Sequence, residues 1–284
     1  MYKKIVVGTD LSKTAQIAVE HAAVMAKALG AELVLVHVGS EPGAPLKELA
    51  DSVGAEAVCV SGNPAEALVS ETERLGGDLL VVGSVGMSGA KRFMLGNVPN
   101  KVSHHSSKDL LIVKTDRRRG GSGSYKKILV GTDGSATAMR AVQMASQLSK
   151  QLGVRPTVVT AYEPPTEQEL NALRKSDVYS QWNASKSQRE TPSEFQWRIA
   201  DASQAQDVLE RAEHCAAESG VDADVRAIEG PPAETLLGVA QDEDFDLIAV
   251  GSVGMAGPKR FMLGNVPHRL SHHTPTDILI LHTA

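Results

Sequence analysis

Short runs dominated by valine, leucine and isoleucine alternate along the chain with stretches whose apolar residues recur at helical spacing. In the first part of the chain the runs Lys4–Gly8, Glu32–Val38, Glu56–Val60, Leu79–Val82 and Asp109–Lys114 read as strands, and the stretches 14–28, 46–53, 64–75 and 97–104 as helices. Leu33-Val34-Leu35-Val36 and Leu79-Leu80-Val81-Val82 are apolar throughout instead of alternating. Such strands need cover on both faces, the condition of a parallel sheet between two helical layers. Local punctuation agrees: Asn63 offers a helix cap, Pro64 the first helical position, Glu66 an acid three residues after the cap, and Gly76 a terminator. The pattern predicts an α/β domain with a doubly wound, five-stranded parallel sheet.

This pattern occurs twice. Tyr2-Lys3-Lys4-Ile5-Val6-Val7-Gly8-Thr9-Asp10 returns as Tyr125-Lys126-Lys127-Ile128-Leu129-Val130-Gly131-Thr132-Asp133. Gly83 to Pro99 returns as Gly251 to Pro267, with only Ser88/Ala256 and Ala90/Pro258 changed. The offset between copies grows from 123 to 168 residues between these landmarks, so the second copy carries 45 extra residues, expected at about 163–204. The reading is two tandem domains, 1–116 and 125–284, joined by the Arg/Gly/Ser-rich linker 117–124. The extra stretch holds Tyr179, Trp182, Phe195 and Trp197, four of the ten aromatic residues in the chain, a concentration suited to anchoring an extra helix or closing a lid over the second copy.

Composition narrows the classes. A hydrophobic content of 42% with 22% charged residues is that of a globular chain with buried cores. No apolar run approaches the roughly 20 residues of a membrane span, and Met1-Tyr2-Lys3-Lys4-Ile5-Val6-Val7 enters a strand directly, so neither membrane insertion nor secretion is expected. The net charge of −5 argues against a nucleic-acid partner. Cys59 and Cys215 do not align between the copies, which argues against a disulfide framework and suits a reducing, cytoplasmic setting. Both read as small core residues.

In open α/β sheets ligands bind beyond the carboxyl ends of the strands, where the winding direction reverses. Two loops per copy fall there. One follows the first strand, Gly8-Thr9-Asp10-Leu11-Ser12 and Gly131-Thr132-Asp133-Gly134-Ser135; the other follows the fourth, from Gly83 to Val98 and from Gly251 to Val266. The glycines of the second loop let backbone N–H groups approach an anion, and Asn97 or Asn265 then starts a helix whose N-terminal donors and dipole suit a phosphate. A tight strand-to-helix turn would use the same glycines, and the greater drift between the copies elsewhere favours phosphate binding. Neither copy contains the P-loop pattern G-x-x-x-x-G-K-[ST], nor G-x-G-x-x-G after its first strand.

Gly83-x2-Gly86-x9-Gly96-Asn97 and Gly251-x2-Gly254-x9-Gly264-Asn265 resemble the nucleotide-binding signature of the universal stress protein family. The strand-one pattern and the closing segments Ser103-His104-His105 to Val113 and Ser271-His272-His273 to Leu281 are similar to that family as well. The resemblance covers nearly the whole chain apart from the linker and the extra stretch, and identifies it as a tandem, ATP-binding member with the adenine nucleotide alpha hydrolase-like fold. It implies that Asp10 and Asp133 lie beside the ribose or the adenine edge, and that the backbone of Val38 and Ala161 meets adenine. It further implies that Gly83, Gly86, Gly96, Asn97 and Val98, with Gly251, Gly254, Gly264, Asn265 and Val266, hold ribose and phosphates. Many relatives have Ser or Thr where this chain has Asn97 and Asn265, so an amide replaces the hydroxyl there. The implied ligand is ATP, accompanied by Mg2+, with AMP or cyclic AMP as the alternative, and the implied role is regulation of stress adaptation. Tandem members pack their copies as an intrachain pseudo-dimer through the last strands, Asp109–Lys114 against Asp277–Leu281, and two chains can pair further.

The remaining candidates add little chemistry. Lys91-Arg92 and Lys259-Arg260 fall in the nine-residue spacer, within reach of a triphosphate or simply solvated. His104-His105 and His272-His273 point in different directions as helix neighbours and have no partner at ligand spacing; no metal is expected, and a helix C-terminus suits them better. A fast hydrolase needs a positioned base or water-orienting group, and beyond Asp10 and Asp133 the sequence offers none, leaving at most slow ATP turnover. Replacing Gly83 and Gly251 together by alanine is expected to abolish nucleotide binding without unfolding the chain.

Overall fold

In the computed structural model, residues 1–40, 42–85, 95–115, 124–163, 194–253 and 263–282 are described, with backbone alone over 194–203. The first copy runs β1 (Lys4–Thr9), α1 (Lys13–Leu29), β2 (Glu32–Val38), α2 (Ala44–Val53), β3 (Glu56–Val60), α3 (Pro64–Arg74), β4 (Leu79–Gly83), α4 (Asn97–His105) and β5 (Asp109–Val113). The second runs β6 (Ile128–Gly131), α5 (Ala136–Leu152), β7 (Thr157–Tyr162), α6 (Glu194–Glu218), β8 (Asp224–Glu229), α7 (Pro232–Asp242), β9 (Leu247–Gly251), α8 (Asn265–His273) and β10 (Asp277–Leu281).

The caps lie where the punctuation places them. Ser12 Oγ accepts from Ala15 N at the start of α1, Asn63 Oδ1 accepts from Ala65 N ahead of Pro64, and Gly30 ends α1 in the left-handed region at φ 63°. The extra length of the second copy enters partly as helix: α6 has 25 residues against ten in α2, begins inside 163–204 and continues beyond it. Phe195 and Trp197 lie in its first turns, while Tyr179 and Trp182 are outside the described residues.

All ten strands form one sheet in the order β3-β2-β1-β4-β5-β10-β9-β6-β7-β8. Within each copy every pairing is parallel, and β5 joins β10 antiparallel with Ile112 opposite Ile278, Leu111 opposite Leu279 and Leu110 opposite Ile280. All six of these side chains are fully buried. Alternate residues along each strand feed two core layers. One lies under α1, α2, α5 and α6 and the other under α3, α4, α7 and α8, and both run the width of the sheet without a break between copies. No helix among the described residues is long and apolar enough to cross a membrane.

Two buried carboxylates hold the junction at its ends. Asp109 accepts from Tyr2 Oη at 2.9 Å, and from Arg140 Nη1 and the His282 backbone N, at 2.7 and 2.9 Å, both in the other copy. Asp277 accepts from Tyr125 Oη at 3.0 Å and from the Lys114 backbone N at 2.8 Å, and His21 of α1 lies 3.1 Å from it. Each acid thus bonds its own copy's tyrosine and a basic residue on the first helix of the other copy. Burial, then the neighbouring Asp109, push the Tyr2 hydroxyl well above its ordinary pKa, so it stays a proton donor.

Candidate functional site

Within each copy the sheet is wound outward from its first strand, and the direction reverses between β1 and β4 and between β6 and β9. The register puts Thr9 beside His37, so Asp10 and Val38 follow side by side at the carboxyl edge of the sheet. Gly83 ends β4 on the other side of β1. Asp133, Ala161 and Gly251 take the same places around β6. Gly86 and Gly254 lie outside the described residues, as do Lys91, Arg92, Lys259 and Arg260.

The loop after the first strand has one conformation in both copies. Thr9 Oγ1 accepts from Leu11 N at 3.1 Å and Asp10 Oδ1 from Ser12 N at 3.0 Å; Thr132 Oγ1 accepts from Gly134 N at 3.1 Å and Asp133 Oδ1 from Ser135 N at 3.0 Å. The residue after each aspartate is left-handed, Leu11 at φ 62° and Gly134 at φ 76°. Each aspartate therefore closes a turn through its own backbone, which fixes its carboxylate at the crevice. In the first copy His37 Nδ1 adds a hydrogen bond to Thr9 O at 3.0 Å. In the second, Arg211 of α6 donates to Gly134 O at 3.0 Å, a contact the short α2 has no length to make.

The glycine-rich loops are pinned at their necks. Gly96 N donates to Ser84 O and Gly264 N to Ser252 O, both at 2.7 Å. Ser84 and Ser252 are held in turn by Val113 O and Leu281 O on the neighbouring strands, at 2.7 and 2.8 Å. A Cβ on Gly96 or Gly264 would stand 3.3 or 3.1 Å from that neck carbonyl, so close backbone approach favours glycine there. No side chain caps α4 or α8, and Pro99 and Pro267 in their first turns lack an N–H. Asn97 and Asn265 are exposed, and Val98 and Val266 half-buried, so the amides of these first two helical residues are the donors each helix start offers toward its loop.

The necks were not among the residues singled out from the sequence, although Ser84 and Ser252 stand at matching places in the repeat, which is the signal that would have found them. The two strand-four glycines are not equivalent. A Cβ on Gly83 would meet Thr115 Cγ2 at 3.2 Å, whereas one on Gly251 would lie 2.8 Å from Ala138 N and Thr137 C, the backbone at the start of α5. Thr137 Oγ1 also donates to Val253 O, tying α5 to the head of the second loop. The two substitutions in the double variant therefore differ in their expected cost, and Gly251 carries most of it. Gly251→Ala is expected to lower stability by about 1–3 kcal/mol and Gly83→Ala by less than about 1 kcal/mol. Urea unfolding of the two single variants measures the difference, and equal losses would refute the packing argument.

His104 and His105 occupy the last turn of α4, and His272 and His273 that of α8. A helix C-terminus favours the imidazolium, yet burial, followed by the neighbouring histidines, holds His104 below its ordinary pKa. Among the described residues no group of three or more His, Cys, Asp or Glu converges on a metal position. A cavity of about 230 Å3 opens at the junction, beside the amino ends of β1 and β5 and the carboxyl end of β10, against Tyr2, Lys108, Asp109, Arg140 and His282.

The fold and the paired strand-end crevices define a tandem, doubly wound α/β protein. The family model described as "Universal stress protein family" matches residues 1–58, 46–114 and 124–282, and the chain belongs to that family. The second copy is matched in one stretch and the first in two. A universal stress protein of Mycobacterium tuberculosis is 29% identical over 161 residues, covering 56% of this chain and 98% of the relative. The Bacillus subtilis protein YxiE is 30% identical over 161 residues, covering 55% of this chain and 99% of that protein. The crystal structure of a universal stress protein from Archaeoglobus fulgidus aligns over 99% of this chain and 98% of its own, with a TM-score of 0.65 and 18% identity, a likeness of fold.

Proposed function

We propose that the chain binds an adenine nucleotide, ATP foremost, at two crevices, one between β1 and β4 and one between β6 and β9, and that occupancy of these crevices serves regulation of stress adaptation. The observation that carries the reading is the placement of the glycine signature. Both copies of it leave the sheet at the reversal point, beside Asp10 and Val38 or Asp133 and Ala161, and close on the start of an uncapped helix. The donor set fits phosphate: the amides of Asn97 and Val98, or Asn265 and Val266, stand at a helix N-terminus beside a loop that contains a Lys-Arg pair. In this reading Asp10 and Asp133 accept hydrogen bonds from the ribose hydroxyls, Gly83, Gly86, Gly96, Gly251, Gly254 and Gly264 allow backbone approach, and Mg2+ accompanies the phosphates. The halves 1–116 and 125–284, with their linker, each carry one site.

The first test is release of small molecules from purified protein with mass identification, followed by calorimetric titration of ATP, AMP and cyclic AMP into the stripped chain. Two ATP per chain is the expected result; a preference for cyclic AMP or AMP keeps the sites and changes the signal, and no binding ends the reading. Asp10→Asn with Asp133→Asn keeps the acceptor that closes each turn and removes the charge. It is expected to weaken ATP binding tenfold or more, roughly the effect of losing a charged hydrogen bond. Unchanged affinity would leave both aspartates as turn residues only.

A further inference from the structure

Five of the nine histidines in the chain lie on α4 and α8, which meet over the β5–β10 junction. The His104 and His268 rings are 5.8 Å apart, those of His268 and His272 4.6 Å, and His272 Nε2 lies 3.3 Å from Asn100 Oδ1. These contacts obey the internal repeat, since the offset of 168 residues that relates the two glycine loops also relates Asn100 to His268 and His104 to His272. Each helix therefore presents its fourth residue to the eighth residue of the other. His104 and His272 are half-buried, and beneath them the buried Lys114 donates through Nζ to Ser271 O at 2.6 Å.

The surroundings are basic. The groups acting on His104 are His268 and His105; on His272 they are His268, Lys114, His273 and His104. Lys101 and Arg269 lie on the exposed sides of the two helices. The acids of the flanking helices have other partners: Glu71 bonds Arg74, Glu73 accepts from Ser107 Oγ, and Glu234 pairs with Arg269. Protonation of the cluster thus adds like charge across the contact, and among the described residues no carboxylate is one of the groups acting on His104 or His272. Burial first, then these neighbours, hold both His104 and His272 below the ordinary histidine value. Bases held below their unfolded-state pKa support the folded junction above about pH 6.5, and that support is lost as the pH falls through their folded-state values.

We propose that this histidine cluster makes the α4–α8 contact a proton-sensitive coupling between the two crevices, releasing the helices from one another on acidification. The coupling rests on the nucleotide reading above, because α4 and α8 begin at the two glycine loops and a nine-residue helix displaced at its C-terminus also moves at its start. The test compares the full chain with its His104→Gln/His272→Gln variant, which leaves His268 in place. Two measurements are made between pH 7.5 and 5.5: ATP affinity by calorimetry and the urea midpoint of the ligand-free protein.

The native chain is expected to lose ATP affinity at least tenfold more than the variant over this range, with a steeper fall in its urea midpoint. Histidine NMR of the native chain should show His104 and His272 titrating below the exposed histidines, a readout independent of how the variant folds. Parallel pH profiles in the two proteins, or His104 and His272 titrating with the exposed rings, would overturn the proposal. Absence of ATP binding at pH 7.5 with a steeper native urea profile would overturn the coupling and the nucleotide reading together, while the proton-sensitive contact would stand. Parallel urea profiles with normal ATP binding would overturn the contact and the coupling it carries, and leave the nucleotide reading standing.

Discussion

Replacing Arg140 by methionine is expected to destabilise the chain by roughly 2–4 kcal/mol, the cost of leaving a buried carboxylate without its cation. Asp109 has a side-chain exposure of 2%, and its Oδ1 is 2.7 Å from Arg140 Nη1. The Arg140 side chain is 30% exposed, which screens part of the pair and puts the effect below that of a fully buried bridge. Methionine keeps much of the aliphatic stem, so the loss is chiefly one of charge. Asp109 keeps the Tyr2 hydroxyl at Oδ2 and the His282 amide at Oδ1; in asparagine the oxygen accepts from the His282 amide and the NH2 group donates to Tyr2 Oη, which turns its own proton away. Asp109→Asn in the Arg140→Met background should therefore recover a large part of the stability, whereas Asp109→Asn alone should destabilise. Chemical denaturation of the four proteins closes the cycle. A coupling below about 0.5 kcal/mol would show that the pair contributes little to the junction.

Most of the sheet was legible because its signal is local. Wholly apolar four-residue runs, a cap at Asn63 and terminating glycines specify strands and helices within the chain segment that bears them, and the elements differ from those read off the sequence by a residue or two at their ends. The repeat gave the duplicate copy at no further cost of inference. The Asp109 and Asp277 clusters were not legible, because Arg140 and His21 do not occupy equivalent positions: the offset of 123 residues puts Arg140 opposite Ile17 and His21 opposite Met144. Only the antiparallel β5–β10 pairing, which sets two first helices face to face, makes each of them the counter-charge of an acid in the other copy. The same holds for the histidines. The doublets His104-His105 and His272-His273 attract attention as neighbours, yet the shorter ring contacts are those of His268 with His272, one helical turn apart, and with His104 across the junction.

This exchange of counter-charges carries a second large effect. A chain ending at Thr115 would expose the β5 edge, with Leu110, Leu111 and Ile112 fully buried in the whole protein, and would take Arg140 and the His282 amide away from Asp109. An apolar edge strand beside an uncompensated acid is a poor surface for a monomer. A second copy of the same segment has what is missing. In the native junction Asp277 is met by His21 and by the Lys114 amide, both from the first copy, so in an antiparallel homodimer each Asp109 would be met by the partner's His21 and the partner's Lys114 amide. Residues 1–115 are therefore expected to form a two-fold dimer, and Leu111→Asp, placing a charge at the centre of the pairing, to leave an unfolded or aggregating chain. Light scattering after size exclusion would read two copies for the segment, and a folded monomer as resistant to urea as the full chain would overturn the expectation.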